Sequence, residues 1–188
     1  MATVTTNNLQ PKYKTELRAK LQKDLKLKNI HQVPQITKIT LNVGLGKSKD
    51  DKRMKETAAN TLRKITGQEP VETFAKKSIA GFKIRAGQNK IGIKVTLRGA
   101  QMYEFLERLI NVVLPQTRDF HGVKKTAFDK SGNFSLGIKE QSVFSELAYE
   151  DTITLHGLQI NIVIKNGDAE SSRALLQVFG MPFMKERK

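Results

Sequence analysis

The sequence predicts an α+β fold: a mainly antiparallel sheet with helices packed on one face, the other face polar and basic, plus an N-terminal basic helix. Three observations carry this reading. Residues 35–43 and 89–99 alternate apolar and polar side chains, as strands with one buried and one exposed face do. Other segments repeat apolar residues at helical spacing. Strands and helices mix without the strict βαβ repetition of a parallel sheet.

The elements follow in order. Residues 1–9 are polar and predict a flexible N-terminal tail. From Pro11 a helix is expected, with Tyr13, Leu17, Leu21 and Leu25 on one stripe. Its other positions are strongly basic: Lys12, Lys14, Arg18, Lys20, Lys23, Lys26 and Lys28 against Glu16 and Asp24. Val33-Pro34 ends it. In "QITKITLNV" (35–43), Ile39, Leu41 and Val43 face one way, and Lys38, Thr40 and Asn42 the other. "GLGKSKDD" is a loop, and a helix starts near Asp50 or Asp51 with Met54, Ala58, Leu62 and Ile65 inward and Gly67 as its stop. Val71–Phe74 reads as a short strand. In "NKIGIKVTLRG" (89–99), Ile91, Ile93, Val95 and Leu97 point inward while Lys90, Lys94, Thr96 and Arg98 point outward.

A strong helix follows, with Met102, Phe105, Leu106, Leu109, Ile110 and Val113 as its stripe and Pro115 closing it. Residues 116–150 read as irregular, with "FDKSGNF" a hairpin loop. "LQINIVI" (158–164) is a further strand. Asp168 caps a last helix carrying Ala174, Leu175 and Val178, which Gly180 ends. The expected organisation is one α+β RNA-binding domain over 10–183, with a basic C-terminal tail at 184–188.

Charge points to a polyanion. The 188 residues carry 33 Lys and Arg against 18 Asp and Glu, a formal net charge of +15. Self-repulsion of that size opposes compaction and is relieved by an anionic partner. No apolar run approaches the roughly 20 residues of a membrane span, and "MATVTTNNLQ" is no secretory signal, so a cytoplasmic, nucleic-acid-facing protein without a membrane partner is expected. With no cysteine, thiolate chemistry is excluded.

Enzyme motifs fail on spacing. "NVGLGKS" (42–48) follows a strand, but the phosphate-loop pattern needs glycine where Leu41 stands. The dinucleotide fingerprint needs glycine at Lys49. An electropositive loop in which Lys47 touches an RNA phosphate fits better. His31, His121 and His156 share no metal-ligand spacing and read as structural or surface residues. Glu140, Glu146, Glu150 and Asp151 read as an acidic patch. No cofactor or metal is implied.

From Thr73 to Tyr103 there is no acid, whereas Lys76, Lys77, Lys83, Arg85, Lys90, Lys94 and Arg98 fall in that span. "AKKSIAGFKIRAG" (75–87) reads as a mobile tip, with Gly81 and Gly87 permitting its turns. Both strands turn Lys, Arg, Thr and Asn outward without an aromatic. Such a face suits backbone and ribose contact with folded RNA better than stacking on unpaired bases.

Five blocks then carry a resemblance: "VPQITKITLNVGLG" (33–46), "KKSIAGFKIRAG" (76–87), "KVTLRG" (94–99), "RDFHGV" (118–123) and "FDKSGNFSLGIKEQ" (128–141). In this order they resemble the bacterial-type 5S rRNA-binding family of the large ribosomal subunit, universal large-subunit protein five. The resemblance implies a structural, non-enzymatic role in translation, as a monomer within the ribosome. It implies 5S rRNA attachment in the central protuberance, with large-subunit rRNA, the P-site tRNA and a small-subunit head protein as further partners. It places 5S rRNA contacts at Asn42, Gln68, Thr96 and Arg98, beside the outward Lys38, Thr40 and Lys94. It makes 75–87, with Lys76, Lys77, Ser78, Lys83 and Arg85, a loop reaching the P-site tRNA. It makes Gly137–Leu147 an intersubunit bridge segment, with Gly137, Glu140, Gln141 and Glu146.

Overall fold

The computed structural model describes residues 9–46, 52–118, 120–124 and 126–184, with only the backbone of Lys52. The expected contact at Lys47, the helix start at Asp50 or Asp51, and nearly all of both tails lie outside these residues. The fold is α+β, on a five-stranded antiparallel sheet of order β2-β3-β1-β5-β4, as the alternation predicts. The strands are β1 (Gln35–Gly44), β2 (Val71–Phe74), β3 (Lys90–Leu97), β4 (Phe134–Ile138) and β5 (Leu158–Lys165). The helices are α1 (Leu9–Lys12), α2 (Arg18–Asp24), α3 (Lys52–Thr66), α4 (Gly99–Arg108), α5 (Leu114–Gln116), α6 (Tyr149–Thr152) and α7 (Ala169–Val178). The chain divides into two compact units. One holds the residues up to Ile39, Leu97–Leu136 and those from Asn161; the other holds Thr40–Thr96 and Gly137–Ile160.

In the first unit, Tyr13, Leu17 and Leu21 are buried, as the i, i+4 stripe predicts. Leu25 is only half-buried, beyond the end of α2. A π turn at Tyr13–Leu17 joins α1 to α2, closed by the Arg18 N–H donating to the Tyr13 carbonyl. The Tyr13 ring stacks on Phe179 at 5.5 Å and tilts against Tyr103 at 6.3 Å, while its hydroxyl donates to the Pro34 carbonyl at 2.8 Å. Burial, seconded by Tyr103 and opposed by Arg18, pushes the Tyr13 pKa up to about 12.

The stripe of α4 is buried as expected. Pro115 does not close that helix. The backbone widens into a π turn at Leu109–Val113, with the Leu114 N–H reaching the Leu109 carbonyl, and runs on through Pro115 to Gln116. A proline early in a new turn loses no hydrogen bond that turn needs. Asp168 caps α7 as predicted, accepting from the Ser171 N–H, and Gly180 ends it at φ +93°. The buried stripe is Ser172, Leu175 and Leu176, whereas Ala174 and Val178 are half-buried. The "FDKSGNF" turn also forms. The Asp129 carboxylate accepts from the Ser131 and Asn133 N–H groups, and Gly132 takes φ +73°. It leads into β4, which the reading of 116–150 as irregular missed.

In the second unit, Leu41, Val43, Ala58, Leu62, Ile65, Ile93 and Val95 form part of the core. Gly67 stops α3 at φ +67°, its N–H donating to the Arg63 carbonyl at 2.8 Å. Met54 is half-buried, and Ile91, expected inward, is 36% exposed at the start of β3. Among the described residues no helix is long and apolar enough to cross a membrane.

Candidate nucleic-acid interface

Burial separates the two faces of the central strands. On β1, Leu41 and Val43 are buried while Thr40 and Asn42 are half-buried. On β3, Ile93 and Val95 are buried while Lys94 is exposed and Thr96 half-buried. The strands are neighbours. Gly92 fixes which faces coincide: a Cβ on it would lie 3.6 Å from the Asn42 Oδ1, 3.1 Å from the Thr73 Oγ1 and 3.0 Å from the Val43 carbonyl oxygen. Asn42, Thr73 and the even positions of β3 therefore share one face. Its missing side chain lets β1 and β2 approach β3 closely there, with the Asn42 amide alongside. Thr73 is held there by donating to the Gly92 carbonyl at 2.9 Å.

Among the described residues, no side-chain hydrogen bond or ion pair engages Thr40, Asn42, Lys94 or Thr96. Their hydroxyl, amide and ammonium groups are thus available to an outside partner. Gln68 follows the stop of α3. The Thr66 hydroxyl, which donates to the Leu62 carbonyl at 2.7 Å, accepts from the Gln68 N–H at 3.2 Å and so fixes where that residue leaves the helix. Lys38 and Arg98 belong to the other unit. Lys38 is half-buried on β1, and Arg98 is exposed and extended (φ −141°) just before α4.

The 75–87 segment forms a hairpin closed by its own hydrogen bonds. Ile79 and Ile84 exchange N–H to carbonyl bonds at 2.9 and 3.1 Å, around a 3-10 turn at Ala80–Phe82. At its foot the Ala75 N–H donates to the Asn89 carbonyl and the Gly87 N–H to the Ala75 carbonyl. Ser78, expected to face tRNA, also braces the hairpin, its Oγ accepting from the Ala86 N–H at 3.0 Å. Gly87 takes positive φ as expected, but at the tip Lys83 does so (φ +51°) and Gly81 does not. Lys76, Lys77, Lys83 and Arg85 are all exposed.

The Gly137–Leu147 segment differs from its expected role at one residue. Gly137 is exposed and Glu140 and Glu146 are half-buried, but Gln141 is 0% exposed. Its Nε2 donates to the Thr154 carbonyl at 2.7 Å, and its Oε1 accepts from the His156 N–H at 2.7 Å. It clasps the segment from inside. The acidic patch is also smaller than expected. Asp151 pairs with Lys64 at 2.6 Å and accepts from the Ala148 N–H, and the Lys64 hydrogen bond foremost holds its carboxyl below the usual range. Tyr149, Ile153 and Leu155 are 85%, 71% and 56% exposed beside it, apolar surface that the charge reading overlooked. His156 is buried, and His31 and His121 are exposed. No cluster of potential metal ligands occurs among the described residues.

The family described as Ribosomal protein L5 matches residues 29–85, and the C-terminus of the same ribosomal family matches residues 90–183. The two matches meet at the foot of the basic hairpin and take in β1, α3, both faces of β3 and the 137–156 segment. The chain therefore belongs to the ribosomal protein L5 family, as an RNA-binding structural constituent of the large ribosomal subunit that serves translation in the cytoplasm and is not an enzyme.

Proposed function

We propose that this chain attaches 5S rRNA in the central protuberance through the polar sheet face, touches the P-site tRNA through the 75–87 hairpin, and bridges to a small-subunit head protein through Gly137–Leu147. The observation that carries the proposal is the row of unengaged polar groups around Gly92. Thr40, Asn42 and Thr96 can each donate and accept, which matches a ribose 2′-hydroxyl, and Lys94 supplies charge for phosphate. Gln68 belongs to the same unit, and Lys38 and Arg98, in the other unit, are further 5S rRNA contacts by themselves, Arg98 with a fork suited to a phosphate. Because the outward positions of β1 and β3 carry no aromatic ring, these strands are suited to folded RNA.

The hairpin is a different kind of surface: a closed turn whose Lys76, Lys77, Lys83 and Arg85 are all exposed. The bridge reading draws on Glu140 and Glu146 within Gly137–Leu147, carboxylates that suit a basic protein surface, and on the exposed Tyr149 and Ile153 that follow it in the chain.

The test separates the first two roles. The chain is pulled down from cells and its bound RNA sequenced, for the wild type and a Lys76→Ala/Lys77→Ala variant. Enrichment of 5S rRNA by both, with loss of P-site tRNA contact in the variant's ribosomes, is expected. Equal capture of unrelated RNAs would indicate a general annealer instead, and loss of 5S rRNA by the lysine variant would overturn the division of labour.

A further inference from the structure

The hairpin carries a group that its charge does not explain. Phe82 at its tip is 68% exposed, the most exposed phenylalanine among the described residues, and Ile79 beside it is 47% exposed. The placement is built. The reciprocal Ile79–Ile84 bonds close the turn, the Lys83 N–H donates to the Ala80 carbonyl at 2.9 Å, and Lys83 takes a left-handed backbone that favours glycine. The turn thus presents a largely exposed aromatic ring on a segment that also carries the exposed Lys76, Lys77, Lys83 and Arg85.

Phosphates need only the cations. A ring among cations adds a π surface, and nucleic acid supplies the complementary pair, bases for the ring and phosphates for the charges. The sheet face shows the contrast: Thr40, Asn42, Lys94 and Thr96 offer hydrogen bonds and charge but no ring.

We propose that Phe82 is a base-stacking residue, its ring lying on the face of an RNA base of the P-site tRNA while the segment's cations neutralise the flanking phosphates. This rests on the reading of the hairpin as the tRNA-contacting loop. The chain then recognises RNA in two chemistries: ribose and phosphate on the sheet, a base face at the hairpin tip.

The test uses ribosomes carrying the full-length chain with Phe82→Ala, Phe82→Leu or Phe82→Tyr, and separately Lys76→Ala/Lys77→Ala. Dissociation of P-site tRNA is timed over a series of salt concentrations, and 5S rRNA content is measured to verify assembly. Removing one aromatic–base stack should speed release by about fivefold or more. Phe82→Ala and Phe82→Leu should both do so, Phe82→Tyr should stay near wild type, and none should change the salt dependence. If Leu serves as well as Phe, the contact is merely apolar and the stacking assignment is overturned. If the lysine variant speeds release while every Phe82 variant matches wild type, stacking is overturned and the tRNA-loop reading stands. If neither position matters, the tRNA-loop reading itself fails, and stacking with it.

Discussion

Replacing Gln141 with Ala tests whether the 137–156 segment is held from inside. The amide is 0% exposed and makes two hydrogen bonds of 2.7 Å, one to the Thr154 carbonyl and one from the His156 N–H. Alanine leaves the buried His156 N–H without its partner, which costs about 1–3 kcal/mol. The half-buried Thr154 carbonyl adds about 1 kcal/mol, since water reaches it in part. The one lost methylene adds about 0.8 kcal/mol. The sum is about 3–5 kcal/mol, in the range reserved for broken buried networks. For a chain of 188 residues this lowers Tm by about 6–20 °C. Thermal unfolding followed by circular dichroism gives the shift, and amide exchange at His156 locates it. Gln159→Ala, at an exposed position on β5, is the control and should move Tm little. A shift below about 2 °C for Gln141→Ala would refute the reasoning, because it would mean that water replaces the amide at little cost.

Gly92→Val should destabilise the protein by about 1–3 kcal/mol through overpacking, because even a Cβ there comes within 3.0 Å of the Val43 carbonyl. It should also weaken 5S rRNA binding by displacing Asn42; unchanged affinity in a stable variant would remove the close approach at Gly92 from the account. Acid should act through His156. Burial lowers its folded pKa, the Thr154 carbonyl opposing in part, so the native state keeps the ring neutral while the unfolded chain protonates near 6.5. The resulting stability is full above that pH and is lost as pH falls through the window down to the lowered folded value. Melting curves between pH 7.5 and 5 should show the loss, and His156→Gln should flatten it; an equal slope in the variant would assign the effect elsewhere.

What the sequence made legible was local. Period-two alternation placed Asn42 and Thr96 on one kind of face and Leu41 and Val95 on the other, because strand geometry alone decides that. The caps at Gly67 and Asp168 were legible for the same reason. Groups that meet across the chain were not. Gln141 reads as one more polar residue until Thr154 and His156 close around it. Asp151 reads as free acid until Lys64, 87 residues away, pairs with it. Gly92 looks like a weak point in a strand, and only its neighbours on β1 and β2 give its missing Cβ a purpose. The hairpin misled in another way. Its turns were assigned to Gly81 and Gly87, yet Ile79 and Ile84 close it and Lys83, not Gly81, takes the left-handed backbone at the tip.

The central claim, that the polar sheet face holds 5S rRNA by ribose and phosphate contact, is tested most directly by 5S rRNA affinity measured across salt concentration. If about six phosphates are neutralised, log K should fall against log salt with a slope near −5. Lys94→Ala should make the slope shallower by about one. Asn42→Ala and Thr96→Ala should each lower affinity by about fivefold, one uncharged hydrogen bond, and leave the slope unchanged. A slope near zero, or wild-type affinity in the Asn42→Ala/Thr96→Ala double variant, would contradict the account.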